Sequence, residues 1–324
     1  MGRQVFENYH HFTGQRVHLI LFKDHNYLGF CLQKFMNKQS RYVLITAARN
    51  EEAFIEKTIT SVISQTILPL KWIIVSDGST DLTNEIVYQY EKTCNLIKLI
   101  RVTSDEKRNF SSKVNAFNVG YKQIKNLDYE FIGNLDADVS FESDYYERII
   151  KYFQENPKLG IAGGIRLDYY DDKYVEIISN QWNVCGAIQM FRRQCFEDIE
   201  GFIPLRRGGE DAVAEIKARM CGWKIMSFPD IIILHHRTTG TADKSILTSR
   251  FNKGIVNYTI GYHPLYEIIR CVYHIRKNPC IIGSCFELIG FFWAVFRRQN
   301  REVPTHVVSY LRTFQINRLK SFFN

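Results

Sequence analysis

No Cys-x-x-Cys pair occurs among the eight cysteines, which are scattered without paired spacing. That argues against a zinc site and a disulfide framework, and it fits a reducing compartment. The G-x-G-x-x-G fingerprint of dinucleotide binding is also missing, although Gly163 and Gly164 follow a strand-like run. No apolar run reaches the ~20 residues of a spanning helix. The best attempt, residues 280–296, is interrupted by Ser284 and Glu287. Near Met1 there is a short apolar patch but no long hydrophobic stretch followed by small residues, so no secretory signal is evident and a cytoplasmic chain is expected. Internal repeats and low-complexity linkers are absent as well.

What the chain does have is enough apolar surface to fold. Hydrophobic residues make up 45% and charged residues 23% of its 324 positions, a globular composition. The net charge of +8 is unevenly placed. From Lys244 onward Lys and Arg outnumber Asp and Glu twelve to three, which leaves the preceding part close to neutral.

Read from Arg41, the chain alternates short apolar runs with helical patterns. "RYVLITAA" leads into "RNEEAFIEKTITSVISQT", where Asn50 is placed to cap a helix, Glu51 and Glu52 suit its positive end, and Ile55, Ile59, Val62 and Ile63 share a face. "WIIVS" ends in "DGSTD", a turn before the helical "LTNEIVYQYEK". "IKLIRV" precedes "SSKVNAFNVGYKQI", with Val114, Phe117 and Tyr121 at helical spacing, and "EFIGNL" ends at Asp136. Such βα units predict an α/β fold with a mainly parallel, Rossmann-like sheet flanked by helices. Ligands bind such sheets beyond the carboxyl ends of the strands, so Ala47 to Asn50, Asp77 to Ser79 and Asp136 to Asp138 are expected on one rim. Regularity falls after Phe141, except at "GGEDAVAEIKARMCGWKI", which reads as a helix entered by two acids and closed by Gly222.

Taken in order, "TAARNEE", "VSDGSTD", "KVNAFNVG", "LDAD" and "GGED" resemble the family 2 glycosyltransferases of GT-A fold, from about Arg41 to about Gly240. The resemblance implies inverting transfer of a sugar from a nucleotide-sugar, usually UDP-linked, to an acceptor hydroxyl. It implies that Asp77 hydrogen-bonds the base and that Glu51, with the backbone of Ala47 and Ala48, lines the base and ribose pocket, to which Asn50 and Gly78 also belong. Asp136 and Asp138 match the metal-binding pair, Lys113 a donor-contacting lysine and Asp211 the catalytic base. Ala47 stands where a proline is frequent, a difference of loop stiffness.

The chemistry of these residue types agrees. A departing nucleoside diphosphate gains negative charge, which Mg²⁺ or Mn²⁺ on oxygen ligands offsets. Asp138 is expected to coordinate the ion directly and Asp136 to reach the ribose or a metal-bound water. One carboxylate suffices as base, and Asp211 beside Glu210 suits the task. The pair of His235 and His236 ends an apolar strand, where His235 is either a polar cap or a further metal ligand, and Arg237 is placed to meet the diphosphate on a loop with Gly240. Trp182 offers a sugar-stacking face on the acceptor side, or else a core tryptophan. A nucleotidyltransferase would share the sheet and the acids but normally carries a glycine-rich phosphate loop near its first strand, and "TAARNEE" has no glycine. A catalytically inactive, membrane-attached scaffold of the same fold is the other alternative.

The expected organisation is an N-terminal extension over 1–40, a GT-A domain over 41–243 and a helical, basic region over 244–324. Residues 280–296, followed by Arg297, Arg298 and Arg301, fit a helix lying in the interface of an anionic membrane, with Arg312, Arg318 and Lys320 adding charge. A buried or dimer-forming helix is the alternative. Basic residues interleaved with aliphatic and aromatic ones suit lipid rather than nucleic acid. The expectation is therefore a cytoplasmic, peripheral enzyme of polysaccharide assembly acting on a glycan or lipid-linked acceptor.

Overall fold

Residues 41–103, 110–170, 173–176, 181–237, 245–275 and 280–323 are described by a computed structural model. The N-terminal extension, the eighth cysteine Cys31 and the loop position Gly240 lie outside these residues. The four leading apolar runs become strands β1 (Tyr42–Ala48), β2 (Lys71–Asp77), β3 (Ile97–Val102) and β4 (Phe131–Leu135), all parallel, in the spatial order β3-β2-β1-β4. Helices α1 (Ile55–Ile63), α2 (Thr83–Thr93) and α3 (Phe110–Ile124) make the crossovers. Alternate strand residues serve two cores, as the two-residue period of a strand demands. Tyr42, Leu44, Trp72 and Ile74 pack with α1 and α2, whereas Val43, Ile45, Ile73 and Val75 pack with Val114 and Phe117 of α3.

Two local expectations are corrected. Asn50 does not cap α1, which starts at Ile55; it holds a left-handed φ of 57° and its Oδ1 accepts from Thr80 N at 2.8 Å, tying the first rim loop to the second. The sheet is mixed rather than mainly parallel. Beyond β4 lie β8 (Ile188–Arg192), β6 (Leu159–Tyr170), β9 (Lys224–His235) and β5 (Val139–Phe141), with β7 (Lys173–Glu176) paired to β6. β4 with β8, β8 with β6, β6 with β7 and β9 with β5 are antiparallel, and only β6 with β9 is parallel. For β6 and β7 the cause is connection length: a parallel pair needs a crossover of about a dozen residues, and these two strands are separated by two.

The acidic pair occupies the point where the chain changes partners. β4 pairs with β1 and β8, but three residues later β5 pairs with β9. Asp136, Ala137 and Asp138 are the intervening step, so their carboxylates stand at the carboxyl ends of the central strands. Helix α4 (Tyr145–Glu155) then covers one face, and the short α5 (Arg193–Asp198) and α6 (Glu210–Met220) follow β8.

Residues 246–323 add α7 (Ile246–Thr259), α8 (Pro264–Tyr273), α9 (Ile282–Phe296) and α10 (Thr305–Phe323). α7 and α9 cross backbone against backbone: a methyl on Gly254 would overlap the Glu287 carbonyl, and one on Gly290 the Phe251 carbonyl. Beside this crossing the buried Glu287 and Glu267 share Arg270, whose Nη2 lies 2.5 Å from Glu287 Oε1 and 2.8 Å from Glu267 Oε1, and Asn257 donates to Glu267 at 3.1 Å. α10 packs Val307 and Leu311 against Ile216 of α6. The outer face of α8 and α9 exposes Val272, Tyr273, Ile282, Ile289, Trp293 and Phe296. No described helix is long and apolar enough to cross a membrane.

Candidate active site

The rim is built by loops that hold one another. Glu51 N donates to Thr83 Oγ1 at 2.7 Å, Glu52 N to Asp81 at 3.0 Å and Asn50 N to Ser79 Oγ at 3.1 Å, so the turns after β1 and β2 form one wall. Ala47 and Ala48 close β1 beneath it. At the end of β2, Asp77 is buried; burial pushes its carboxyl up, against the opposing charge of Arg49 at 3.7 Å. Gly78 turns the chain with φ 64° and donates its N–H to Val102 O at 2.9 Å.

Around the acidic pair, charges are matched closely. Lys113 of α3 places Nζ 2.6 Å from Asp136 Oδ1. Burial would lower the Lys113 ammonium, but the charges of Asp136, Glu210 and Asp211 outweigh it and hold it raised. Register brings Val139 opposite His235, and His235 opposite Asp168 on β6. The His235 Nε2 consequently lies 3.5 Å from Asp138 Oδ1, and its Nδ1 lies 3.1 Å from Asp168 Oδ1. Burial opposes charge on this ring, yet hydrogen bonds to the two carboxylates prevail and push it up to about 9. Burial likewise works against ionised Asp138, but His235, Arg237 and Lys113 keep its carboxyl below the ordinary value. Arg237 Nε stands 3.4 Å from Asp138 Oδ2, and its guanidinium also pairs with Glu51. The adjacent His236 faces elsewhere, between Ser140 Oγ at 2.9 Å and the Tyr174 hydroxyl at 2.9 Å.

Glu210 and Asp211 begin α6, behind Gly209 at φ 95°. Gly186 is required here, because a Cβ at that position would sit 2.5 Å from Asp211 Oδ2. Burial, countered by Lys113 and reinforced by Asp211, raises the Glu210 carboxyl. Lys113, Asn134, Gly186, Glu210 and Asp211 line one small cleft. Trp182 stands apart, 61% exposed, on the loop whose carbonyl accepts from Arg219 of α6. Asp136, Asp138, Lys113, Glu210, Asp211 and His235 thus gather at one end of the sheet, with Asp77, Glu51 and Asn50 along the same rim.

Asp168 and Arg166 escaped sequence reasoning. They lie in an Asp-rich and Tyr-rich stretch with no motif, and only the β6–β9 register places Asp168 against His235, with Arg166 Nε 2.8 Å from its Oδ1. Arg49, next to Asp77, was equally unmarked.

For a divalent cation, the available donors are the carboxylates of Asp136 and Asp138 and the imidazole of His235, hard oxygen and borderline nitrogen ligands that Mg²⁺ and Mn²⁺ accept. Among the described residues no three His, Cys, Asp or Glu side chains converge closely enough to hold an ion by themselves.

Residues 43–203 match the profile of "Glycosyl transferase family 2". A poly-β-1,6-N-acetyl-D-glucosamine synthase of Staphylococcus epidermidis is 34% identical over 120 residues, 37% of this chain and 27% of that protein. An uncharacterised glycosyltransferase of Haemophilus influenzae is 31% identical over 139 residues, 43% of this chain and 40% of its own length. The matched stretch is thus about a quarter to two-fifths of these relatives. Among solved structures, a mannosyltransferase of Pyrobaculum calidifontis in complex with GDP-mannose and Mn²⁺ superposes with a TM-score of 0.54 at 15% identity, over 90% of this chain and 87% of that one, a likeness of GT-A fold. From the ordered motifs, the sheet that gathers them and this profile, the chain is a glycosyltransferase and belongs to glycosyl transferase family 2.

Proposed function

We propose that this glycosyltransferase is an inverting, divalent-metal-dependent enzyme that moves a sugar from a nucleotide-sugar, UDP-linked, to a hydroxyl of a glycan or lipid-linked acceptor in polysaccharide assembly. The observation that carries the reading is the meeting of Lys113, Asp136, Asp138 and His235 with the first turn of α6 at one end of the sheet. Asp77 and Glu51 are suited to the base and ribose, and Asn50, Gly78 and the backbone of Ala47 and Ala48 to the walls around them. Asp138, with Asp136 and His235 beside it, would hold Mg²⁺ or Mn²⁺, which when bound offsets the charge of the departing diphosphate. His235 carries a proton while paired with two carboxylates and must release it to serve as a ligand. Lys113 supplies a fixed positive charge on the donor side. Asp211, in the cleft that Lys113 and Asn134 also line, takes the acceptor proton as the hydroxyl oxygen attacks the anomeric carbon, with Glu210 in support.

The apolar outer face of α8 and α9, beside Arg297 and Arg298, suits the interface of an anionic membrane, and the scattered spacing of the cysteines along the sequence suits its reducing, cytoplasmic side. The deciding experiment is hydrolysis of UDP-sugars by purified protein with and without Mn²⁺. Metal-stimulated release of UDP is expected; no release from any UDP-sugar would reject the donor assignment.

A further inference from the structure

Behind the first turn of α6 lies a second space, a half-open cavity of about 390 Å³ between α6, α8, α10 and the Trp182 loop. Its size falls in the range of about 300 to 1,000 Å³ usual for small-molecule sites. Five aromatic rings line it: Trp182, Tyr262, Tyr266, Tyr310 and Phe314. Tyr310 and Phe314 lie stacked, with centroids 6.4 Å apart, and Tyr262 meets Tyr266 edge-on. Among the rings stand groups that hydrogen-bond in a plane: Asn183, Arg219, Gln315 and Arg318. Three are already held, since Arg219 donates to Asn183 Oδ1 at 3.2 Å and Gln315 Oε1 accepts from His263 N at 2.8 Å.

This mixture selects a ligand class. A pyranose offers flat C–H faces to aromatic rings and a belt of hydroxyls to amides and guanidinium groups. An isoprenoid or acyl chain would satisfy the rings and strip water from Asn183, Arg219 and Gln315 without replacing it, which is unfavourable. Position selects the role. Ala212, which lines the cavity, follows Asp211 directly, and Glu215, also in the wall, is one helical turn further on, about 6 Å along the axis.

We propose that the cavity between α6, α8 and α10 is a saccharide-binding site for the acceptor glycan, holding sugar units set back from the hydroxyl that reacts at Asp211. The site rests on the transfer reaction proposed above. Five aromatic surfaces grip units already added, so that the end of the chain is presented to the base. Preference for an acceptor longer than one sugar follows from this placement.

The test is saturation-transfer NMR titration of the full chain with mono-, di- and tetrasaccharides of N-acetylglucosamine, glucose and mannose. At least one tetrasaccharide is expected to bind saturably and more tightly than its monosaccharide. Phe314→Ala, Tyr310→Ala and Trp182→Ala should each weaken it at least tenfold while UDP affinity in Mn²⁺ stays within twofold of wild type, which also certifies the fold. The site is overturned if no oligosaccharide binds, if the three variants bind it as wild type does, or if a polyprenyl phosphate competes for the cavity in its place. Failure of the transfer reading looks different: wild-type protein would then release no UDP from any UDP-sugar, whatever the oligosaccharide result.

Discussion

Replacing Asp211 by Asn keeps its size and removes its basic oxygen, so the change separates chemistry from binding. General-base catalysis is worth roughly 10² to 10⁴-fold, and kcat for Asp211→Asn at saturating donor and metal should fall by about that much, with donor affinity unchanged. A near-normal kcat would reduce Asp211 to a residue of the helix start, where Asn serves as well as Asp. On the donor side, Asp138→Ala should abolish the dependence of UDP binding on Mn²⁺; equal UDP affinity in EDTA and in Mn²⁺ for the wild type would sink the metal assignment. A third residue links stability to pH. Glu215, pushed up to about 8 by burial, accepts from Val184 N at 2.6 Å. Its folded pKa lies above the unfolded 4.5, so its contribution is complete below about 4.5 and is lost as pH rises through about 8. Thermal melts of Glu215→Gln should therefore lose less stability than wild type between those limits. The positions of Asp77, Asp136, Asp138 and Asp211 at strand ends and a helix start were legible because each stands within a motif that marks the end of an apolar run or the start of a helical one. Asp168 was not, because its contact with His235 depends on which strand lies beside β6, and that pairing joins residues nearly seventy apart in the chain.

At the scale of elements, the βα half was legible because each strand is a continuous apolar run and each helix repeats its apolar face every three to four residues. The second half was not, since β6 and β9 are twelve residues long, change register at Gly164 and alternate their burial irregularly. α9 shows the same limit. Residues 280–296 read as an apolar helix interrupted by Glu287, but Glu287 is the inward side, engaged by Arg270, and the helix is half packed and half exposed. The crossing of α7 and α9 has no room for a side chain, so Gly254→Ala or Gly290→Ala should cost about 1 to 3 kcal/mol or more. Limited proteolysis of either variant should release residues 280–323 ahead of the sheet domain; a digestion pattern like that of wild type would show that the helices can part without loss.

For the whole molecule, the question is what covers the outer face of α8 and α9. Deleting everything beyond residue 279 would be a poor test, because α9 seals α7 and α10 seals α6. Trp293 and Phe296 are exposed and lie at the arginine end of α9, so Trp293→Ser with Phe296→Ser removes apolar contact without touching the packed side. Cosedimentation with phosphatidylserine vesicles should drop at least tenfold in the double variant and fall with added salt in the wild type, since basic residues near an anionic surface contribute about 1 kcal/mol each. Vesicle binding that survives both treatments would assign the face to a protein partner.

The packing of Val307 and Leu311 on Ile216 also sets a timetable. α6 carries Asp211, yet the surface that steadies it is made about a hundred residues later. At ~5 to 20 residues per second a ribosome needs on the order of ten seconds to cover that distance, and the strands from β1 to β4 fold in the meantime. A nascent chain thus completes the strands that carry Asp77 and Asp136 well before the helix bearing Asp211 is braced, so the two sides of the cleft are finished at different times during synthesis.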